Sequence, residues 1–249
     1  MTSATAEVTP AAQADHIEAS LKKVGTRERA TNEKRYLKSD LDFLGVRMPD
    51  IRRVVKDVLR DLPEFGRDEL LELVVALWRK PVFERRMVAT VLLEERIDLL
   101  QARDAKLVEQ FLRESRTWAL VDTLAPKVMG SLFERYESLG ATLDRWAEDE
   151  DFWIRRSALL TLLVPLRTGA GDFERFGRYA DSMLEEKEFF IRKAIGWILR
   201  ETSKKRPDLV FKWLSPRAHR ASGVTMREAV RYLSDEQAVV LTAAYKRNR

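Results

Sequence analysis

A sequence pattern recurs through this chain at intervals of about 35 residues, and it constrains the fold more than any other feature. Five segments share a register: FERRMVAT from Phe83, WALVDTLA from Trp118, WIRRSALL from Trp153, FIRKAIGW from Phe190 and TMREAVRY from Thr225. Their starts are separated by 35, 35, 37 and 35 residues, and a partial earlier copy begins at Ile51. A fixed period in this range is typical of helical repeats stacked side by side. The sequence therefore predicts an all-α fold.

Each copy places two sets of positions on different faces of its helix. If the first residue is offset 0, the residues at offsets +1, +5 and +8 share one face and are mostly apolar, which predicts that this face is the core. The residues at offsets 0, +3, +4 and +7 form a second stripe, roughly a quarter-turn away. Because equal offsets lie on the same side of a stacked array, we expect the second stripe to line one surface.

The copy that begins at Trp118 departs from its neighbours. Three other copies share a basic pair at offsets +2 and +3: Arg85-Arg86, Arg155-Arg156 and Arg192-Lys193. This copy has Leu120-Val121 instead, followed by Asp122, whose side chain competes for backbone hydrogen bonds in a helix. A position at which one copy departs from the pattern shared by the others is typical of a functional site. We expect four stripe residues to meet on a concave surface: Trp118, Asp122, Arg156 and Trp197.

These residues also have structural interpretations. Tryptophans at helical spacing are common in cores, and Tyr36 in the segment RYLK is compatible with a half-buried core position. The Asp122 carboxylate is also compatible with a helix cap or an ion pair with Lys127. Arg156 is equally compatible with a surface ion pair with a nearby acid, for which Asp149 is one candidate. Four independent residues on one stripe nevertheless favour a site.

Composition excludes several classes of chemistry. The chain has no Cys and only two His, His16 and His219, so we expect no thiolate nucleophile, no metal site and no metal-dependent reaction. Neither glycine-rich nucleotide-binding motif occurs, and we expect no cofactor. The apolar runs are too short to cross a membrane and the first residues do not resemble a secretory signal. We therefore expect a cytoplasmic protein with no membrane partner.

Basic charge is concentrated near the C-terminus. Residues 200–249 carry twelve Lys and Arg against five Asp and Glu, a net charge of +7, while the whole chain has a net charge of +5. An unbalanced basic segment is typical of a polyanion partner, although a solvated surface explains the charge equally well.

The predicted stripe suits one reaction in particular. Indole faces attract cations, a carboxylate stabilises a developing positive centre and orients water, and a guanidinium binds phosphate. An N3- or N7-alkylated purine is already positively charged, so cleavage of its glycosidic bond needs no general acid. One carboxylate is then sufficient, in contrast to the paired carboxylates of sugar hydrolases.

Five segments resemble the AlkD-type DNA alkylation repair enzymes, alkylpurine DNA glycosylases built from HEAT-like repeats. They are FLGVRMP (43–49), LWRKPVFE (77–84), TWALVDTLAP (117–126), DFWIRRSALL (151–160) and KEFFIRKAIGWILRE (187–201). The resemblance implies a right-handed α-solenoid, or superhelix, of HEAT-like two-helix repeats with a concave DNA-binding face. We expect this single domain to cover residues 13–249, after a disordered tail over residues 1–12. A short helix is predicted from about Asp15 to Val24.

The resemblance also implies roles for the residues of the site. Asp122 is the expected catalytic carboxylate, and Trp118 and Trp197 are expected to contact the lesion nucleotide. Thr117 and Ala119 depart from the family pattern, in which another aromatic residue and an acid often flank the tryptophan, and this departure bears on the range of lesions.

The expected DNA contacts come from other helices. The resemblance implies that Arg156 holds a backbone phosphate near the lesion and that Tyr36 lies beside the DNA. The two remaining basic residues expected to bind DNA, Lys193 and Arg86, occupy the same offset as Arg156. The modified base is expected to stay unflipped, in contrast to the usual behaviour of glycosylases.

The resulting hypothesis is a monofunctional glycosylase that acts as a monomer on double-stranded DNA containing alkylated purines, and that associates with the nucleoid when bound. No lysine is assigned as a Schiff-base nucleophile. Two alternatives remain: a non-catalytic HEAT-like DNA-binding protein, and a protein-interaction scaffold, which is the commonest use of helical solenoids.

Overall fold

The structure, a computed structural model, describes residues 9–62 and 65–247. Within these ranges the chain forms sixteen α-helices and no β-strand, and an isolated bridge between Asp42 and Val82 is the one strand-like feature. No helix in this part of the chain is long and apolar enough to cross a membrane. The all-α class predicted from the repeat is confirmed.

The chain divides into two compact units, Met1–Leu124 and Ala125–Arg249. The single repeat domain predicted over residues 13–249 stays a prediction. Residues 1–8 of the predicted tail lie outside the described residues. Residues 10–12 belong to the first helix, which begins at Pro10 and therefore earlier than the predicted Asp15. The earlier start has a physical reason, because the Thr9 hydroxyl accepts the Ala12 N–H at 3.3 Å and Pro10 suits the first helical position.

The first unit is built around two adjacent helices, α4 and α5. Its α-helices are α1 (Pro10–Val24), α2 (Arg27–Leu37), α3 (Met48–Asp61), α4 (Arg67–Arg79), α5 (Phe83–Glu95), α6 (Ala105–Glu114) and α7 (Trp118–Thr123). Short 3-10 helices cover Ile97–Leu99 and Ala102–Asp104. Helices α1 and α3 pack against α4 and α5, respectively, and α7 packs against α5. Helix α5 is buried from Phe83 to Leu93, as expected of a helix in the middle of a core.

The second unit is centred on α13. Its α-helices are α8 (Gly130–Arg135), α9 (Gly140–Ala147), α10 (Phe152–Thr161), α11 (Leu163–Arg167), α12 (Phe173–Ser182), α13 (Phe189–Ser203), α14 (Pro207–Leu214), α15 (Gly223–Ala229) and α16 (Asp235–Lys246). Short 3-10 helices cover Glu137–Leu139, Ser215–Arg217 and Val230–Tyr232. Helix α13 packs against α10, α11, α14 and α15.

The five repeat copies coincide with five helices. Phe83 and Trp118 are the first residues of α5 and α7, Trp153 and Phe190 are the second residues of α10 and α13, and Thr225 is the third residue of α15. Each of these five helices follows another α-helix in the chain. The preceding helices are α4, α6, α9, α12 and α14, respectively. Two further short helices, α8 and α11, lie between successive copies, so the α-helices do not alternate strictly in pairs.

The predicted core face is confirmed in three copies. In α5, α10 and α13 the residues at offsets +1, +5 and +8 are all 0% exposed. In α15 only Met226 of the three is buried. In α7 the prediction is wrong at two of the three positions, because Ala119 and Thr123 are half-buried and only Pro126 is buried, while Leu120 and Val121 are fully buried. Offset +3 is also buried in α5 and α10, by Arg86 and Arg156, so α7 differs from them in leaving its offsets +1 and +5 half-buried.

Candidate active site

Helix α7 carries the first two predicted site residues, and its two ends are irregular. The Thr117 side chain caps its start by accepting the Ala119 N–H at 3.4 Å. The preceding residue, Arg116, has a φ of +50°, a left-handed conformation that is uncommon for a bulky residue. After six residues, α7 gives way to a π-helical turn over Leu124–Met129.

The π-helical turn has a cause in the sequence. It contains Pro126, which has no N–H and therefore cannot continue regular α-helical hydrogen bonding. Turns of this kind occur frequently at functional sites. The short α7 is thus bounded by a strained residue on one side and a helix irregularity on the other.

The half-buried face of α7 contains both Trp118 and Asp122. These residues are four apart, so their side chains lie on the same side of the helix, one turn from each other. Ala119 and Thr123 are half-buried as well, and the four residues together form what we call the open face of α7. Asp122 therefore lies with Trp118 on the half-buried side of α7.

Tyr36 lies against Trp118. Tyr36 is in the last turn of α2, and its side chain is 72% exposed. The ring centroids of Tyr36 and Trp118 are 5.8 Å apart and the ring planes meet at 84°, a favourable edge-to-face arrangement. Two of the residues predicted to contact DNA are thus brought together in the first unit.

Arg86, which was predicted to bind DNA, is instead enclosed within the first unit and is 8% exposed. Its Nη1 donates to the carbonyl oxygen of Glu114 at 2.6 Å, and its guanidinium carbon lies 4.9 Å from the centroid of the Trp78 ring. Burial lowers the pKa of Arg86, against a smaller opposing effect of Glu114. The contacts join α5 to the end of α6 and leave little of Arg86 for a DNA phosphate.

Arg156 has a similar setting in the second unit and is 2% exposed. Its Nη1 donates to the carbonyl oxygen of Phe190, and its guanidinium carbon lies 5.7 Å from the Phe190 ring centroid. The arginines of two copies thus bind a backbone oxygen of a later helical segment. This shared geometry explains why a basic residue recurs at offset +3.

Lys193 and Trp197 follow each other by one turn on α13, and both are half-buried. Lys193 and Arg200 form ion pairs with Glu228 on α15. Burial acts to raise the pKa of the Glu228 carboxyl, but the hydrogen bonds and charges of the two cations outweigh it and lower the pKa. Lys193 therefore shares one carboxylate with Arg200 within the second unit.

An aromatic cluster in the second unit was not predicted as part of the site. It is formed by four residues, Phe152, Trp153, Phe189 and Phe190, with the centroids of Trp153 and Phe190 4.8 Å apart. Phe189 is 54% exposed. The sequence signal is a pair of adjacent aromatic residues at offsets −1 and 0 in two successive copies.

The side chains in the described ranges offer no group of three or more His, Cys, Asp or Glu that could hold a metal ion. The open face of α7 carries one carboxylate, that of Asp122, and one indole, that of Trp118, against which Tyr36 packs. Such a surface can bind a cation and orient a water molecule.

Comparison with known proteins assigns the chain to a family. The sequence profile described as DNA alkylation repair enzyme matches residues 17–233, which is most of the chain, so the protein belongs to the DNA alkylation repair enzyme family. The resemblance drawn from the motifs is confirmed. No protein with a curated description matches the chain.

Solved structures share the fold. A predicted DNA alkylation repair enzyme from Enterococcus faecalis is 24% identical, with a TM-score of 0.76, over 85% of this chain and 97% of that chain. AlkD2 from Streptococcus mutans is 18% identical, with a TM-score of 0.60, over 88% and 98%. The protein smu.31 from Streptococcus mutans UA159 is 21% identical, with a TM-score of 0.56, over 74% and 98%. At these identities the similarity establishes the fold alone.

Proposed function

We propose that this protein is a monofunctional DNA glycosylase that hydrolyses the N-glycosidic bond of cationic N3- and N7-alkylpurines in duplex DNA. The observation that carries the proposal is the open face of α7, where Asp122 follows Trp118 by one turn and Tyr36 packs edge-on against Trp118. Membership of the DNA alkylation repair enzyme family supports DNA as the substrate.

The residues of this surface supply most of the groups that the reaction needs. An alkylated purine carries a positive charge, so it leaves with the electron pair of the glycosidic bond and becomes neutral. The sugar then develops positive charge at C1′, which the Asp122 carboxylate stabilises electrostatically. The same carboxylate orients a water molecule whose oxygen bonds to C1′, and it accepts the proton that the water loses.

The aromatic rings supply recognition. The faces of Trp118 and Tyr36 attract the cationic base and its sugar, because the ring quadrupole favours positive charge. We propose that Trp197 of the second unit contacts the lesion nucleotide in the same way. Contacts of this kind do not require the base to enter a pocket, so the base stays unflipped and bulky adducts are accepted.

DNA binding is proposed to come from a right-handed solenoid of HEAT-like repeats with a concave binding face, acting as a monomer in the cytoplasm. Lys193 is the half-buried cation of the proposed face. Arg156 and Arg86 are enclosed, at 2% and 8% exposed, so we propose that they contact DNA only when their guanidinium groups leave the carbonyl oxygens of Phe190 and Glu114.

The proposal is tested by a base-release assay on duplex DNA treated with a methylating agent. We expect 7-methylguanine or 3-methyladenine to be released, with no strand cleavage and no covalent adduct after borohydride treatment. Trapping of an adduct would contradict hydrolysis by water. Steeply salt-dependent DNA binding without any base release would identify a non-catalytic DNA-binding protein instead. A scaffold for protein partners would show neither base release nor steeply salt-dependent DNA binding.

A further inference from the structure

A second carboxylate departs from the repeat pattern, and it belongs to α5 rather than to α7. Offset +1 is a core position, and in the other copies it holds Ala119, Ile154, Ile191 and Met226. In the copy that begins at Phe83 it holds Glu84, which is 0% exposed. A buried carboxylate is strongly unfavourable unless hydrogen-bond donors surround it, so a Glu at this position requires specific partners.

The partners are three consecutive backbone N–H groups of one loop. Glu84 Oε1 accepts from Gly45 at 2.7 Å and from Val46 at 3.1 Å, and Oε2 accepts from Leu44 at 2.9 Å. Burial raises the pKa of the Glu84 carboxyl, and these N–H groups offset only part of that effect. A run of backbone N–H groups around an anion fixes the conformation of the segment that supplies them.

The loop in turn fixes the start of α2. Gly45 has a φ of +74°, and a Cβ at this position would lie 2.1 Å from the Thr26 carbonyl oxygen and 2.5 Å from the Ala30 nitrogen. The Thr26 N–H donates to the Gly45 carbonyl oxygen at 3.2 Å. The loop backbone and the first turn of α2 are therefore in direct contact, with no space for a side chain between them.

Helix α2 depends on such contacts because it has no buried residue. Its position cannot come from core packing, which is what normally fixes a helix of this length. The exposed Tyr36 in its last turn nevertheless packs edge-on against Trp118. The placement of that ring is therefore sensitive to whatever holds α2.

We propose that Glu84 is a positioning residue, which holds the loop of residues 44–46 against α2 and so sets the Tyr36 ring against Trp118. This inference rests on the proposed function, in which the Tyr36–Trp118 pair contacts DNA. Glu84 touches neither the substrate nor Asp122 in this role. It acts through the loop and α2.

The test uses the full-length protein labelled with 5-fluorotryptophan and observed by ¹⁹F NMR without DNA. The six tryptophans give separate resonances, and that of Trp118 is assigned with Trp118→Phe. Tyr36→Ala gives the position of this resonance without the neighbouring ring. We expect Glu84→Gln, which places an amide NH₂ against a backbone N–H, to move the Trp118 resonance toward the Tyr36→Ala position.

A functional measurement accompanies the spectrum. In single-turnover base release, we expect Glu84→Gln to raise the half-saturating protein concentration about 10-fold, while the maximal rate stays within about twofold. Val88→Ala is the matched control, because Val88 is equally buried one turn along α5 but lies on no path to α2. It should lower the melting temperature and leave the Trp118 resonance and the half-saturating concentration unchanged.

Two outcomes overturn the inference. One is a folded Glu84→Gln protein that behaves as Val88→Ala does, losing stability without any change in the Trp118 resonance. If Glu84→Gln does not fold, Gly45→Ala tests the same path from the loop side, and an unchanged resonance in that variant also overturns it. Should wild-type protein release no base while the resonance moves as expected, the proposed function fails and the positioning role of Glu84 stands.

Discussion

Helices α7 and α10 carry two consecutive copies of the same repeat, but they differ in which face they bury. Each starts beside a capping side chain, Thr117 or Asp151, that accepts a backbone N–H. In α10 the residue at offset +4 is Ser157, which is fully buried, whereas in α7 it is the half-buried Asp122.

The two helices also differ at offsets +2 and +3. In α10, Arg155 forms an ion pair with Glu186 at 2.8 Å and Arg156 donates to the Phe190 carbonyl oxygen. In α7 the corresponding Leu120 and Val121 are in the core. One copy therefore uses offsets +2 and +3 to join helices, whereas the other places apolar residues there and leaves its offset +4 residue half-buried.

The largest expected effect comes from restoring the basic residue of α10 in α7. Leu120→Arg would place a charge at a fully buried position without a prepared partner, so we expect it to destabilise the protein by about 3–5 kcal/mol. Urea unfolding measures this loss. Ala119→Arg, at the adjacent half-buried position, should cost much less, and equal losses for the two variants would refute the assigned buried face.

Removing the basic residue from α10 should have a somewhat smaller effect on stability. Arg156→Ala removes the donor to the Phe190 carbonyl and leaves a space beside the Phe190 ring, so we expect a loss of about 2–3 kcal/mol. Lys193→Ala, which removes a side chain that is 42% exposed, should lose less than about 1 kcal/mol. If Arg156→Ala is as stable as wild type in thermal unfolding, the basic pair does not join helices.

The basic pair of α5 predicts a pH dependence. Arg85 Nη1 lies 2.6 Å from Glu18 Oε2. Burial acts to raise the Glu18 pKa, but hydrogen bonds from Lys22, Lys80 and Arg85 outweigh it and lower the pKa to about 2. The folded-state pKa is thus below the unfolded value. The stabilisation is present above pH 4.5 and is lost as the pH falls toward 2.

We expect this carboxyl to contribute about 2 kcal/mol, measured as the change in unfolding free energy between pH 5 and pH 2 relative to Glu18→Gln. The Gln variant cannot titrate at this position, so its stability should fall less across the same range. Parallel curves for the two proteins would show that Glu18 is not responsible.

The smallest effect concerns the caps that the two helices share. Thr117→Ala and Asp151→Ala each remove a side chain that accepts a backbone N–H in the first turn, so each should cost about 1 kcal/mol in urea unfolding. Because α7 has only six residues, Thr117→Ala should also lower DNA affinity, whereas Asp151→Ala should not. Equal effects of the two substitutions on DNA affinity would mean that the cap of α7 matters no more for DNA binding than the cap of α10.

Much of the fold follows from the spacing of residues in the sequence. The repeat placed all five copies within the first three residues of a helix, because the pattern of apolar residues records helix geometry directly. It failed in α7, where Leu120 and Val121 were interpreted as the loss of a basic pair rather than as new core residues. Both interpretations are consistent with the sequence, and only the burial of Leu120 and Val121 in the structure distinguishes them.

The site was predictable only in part. Trp118 and Asp122 could be chosen because they are neighbours on one helix, and Tyr36 through a family resemblance. The burial of Arg86 and Arg156 was not predictable, because their acceptors are backbone oxygens 28 and 34 residues later in the chain. No side-chain pattern marks a backbone oxygen as a partner.

The central claim is that the carboxylate on the open face of α7 carries out the chemistry. Its most direct test is single-turnover release of 7-methylguanine from duplex DNA by wild type, Asp122→Asn and Ser157→Ala, the last being the equivalent position of α10. We predict that Asp122→Asn lowers the rate at least about 10²-fold while DNA affinity is kept, and that Ser157→Ala stays within about threefold of wild type. An Asp122→Asn protein that releases base at the wild-type rate would contradict the account.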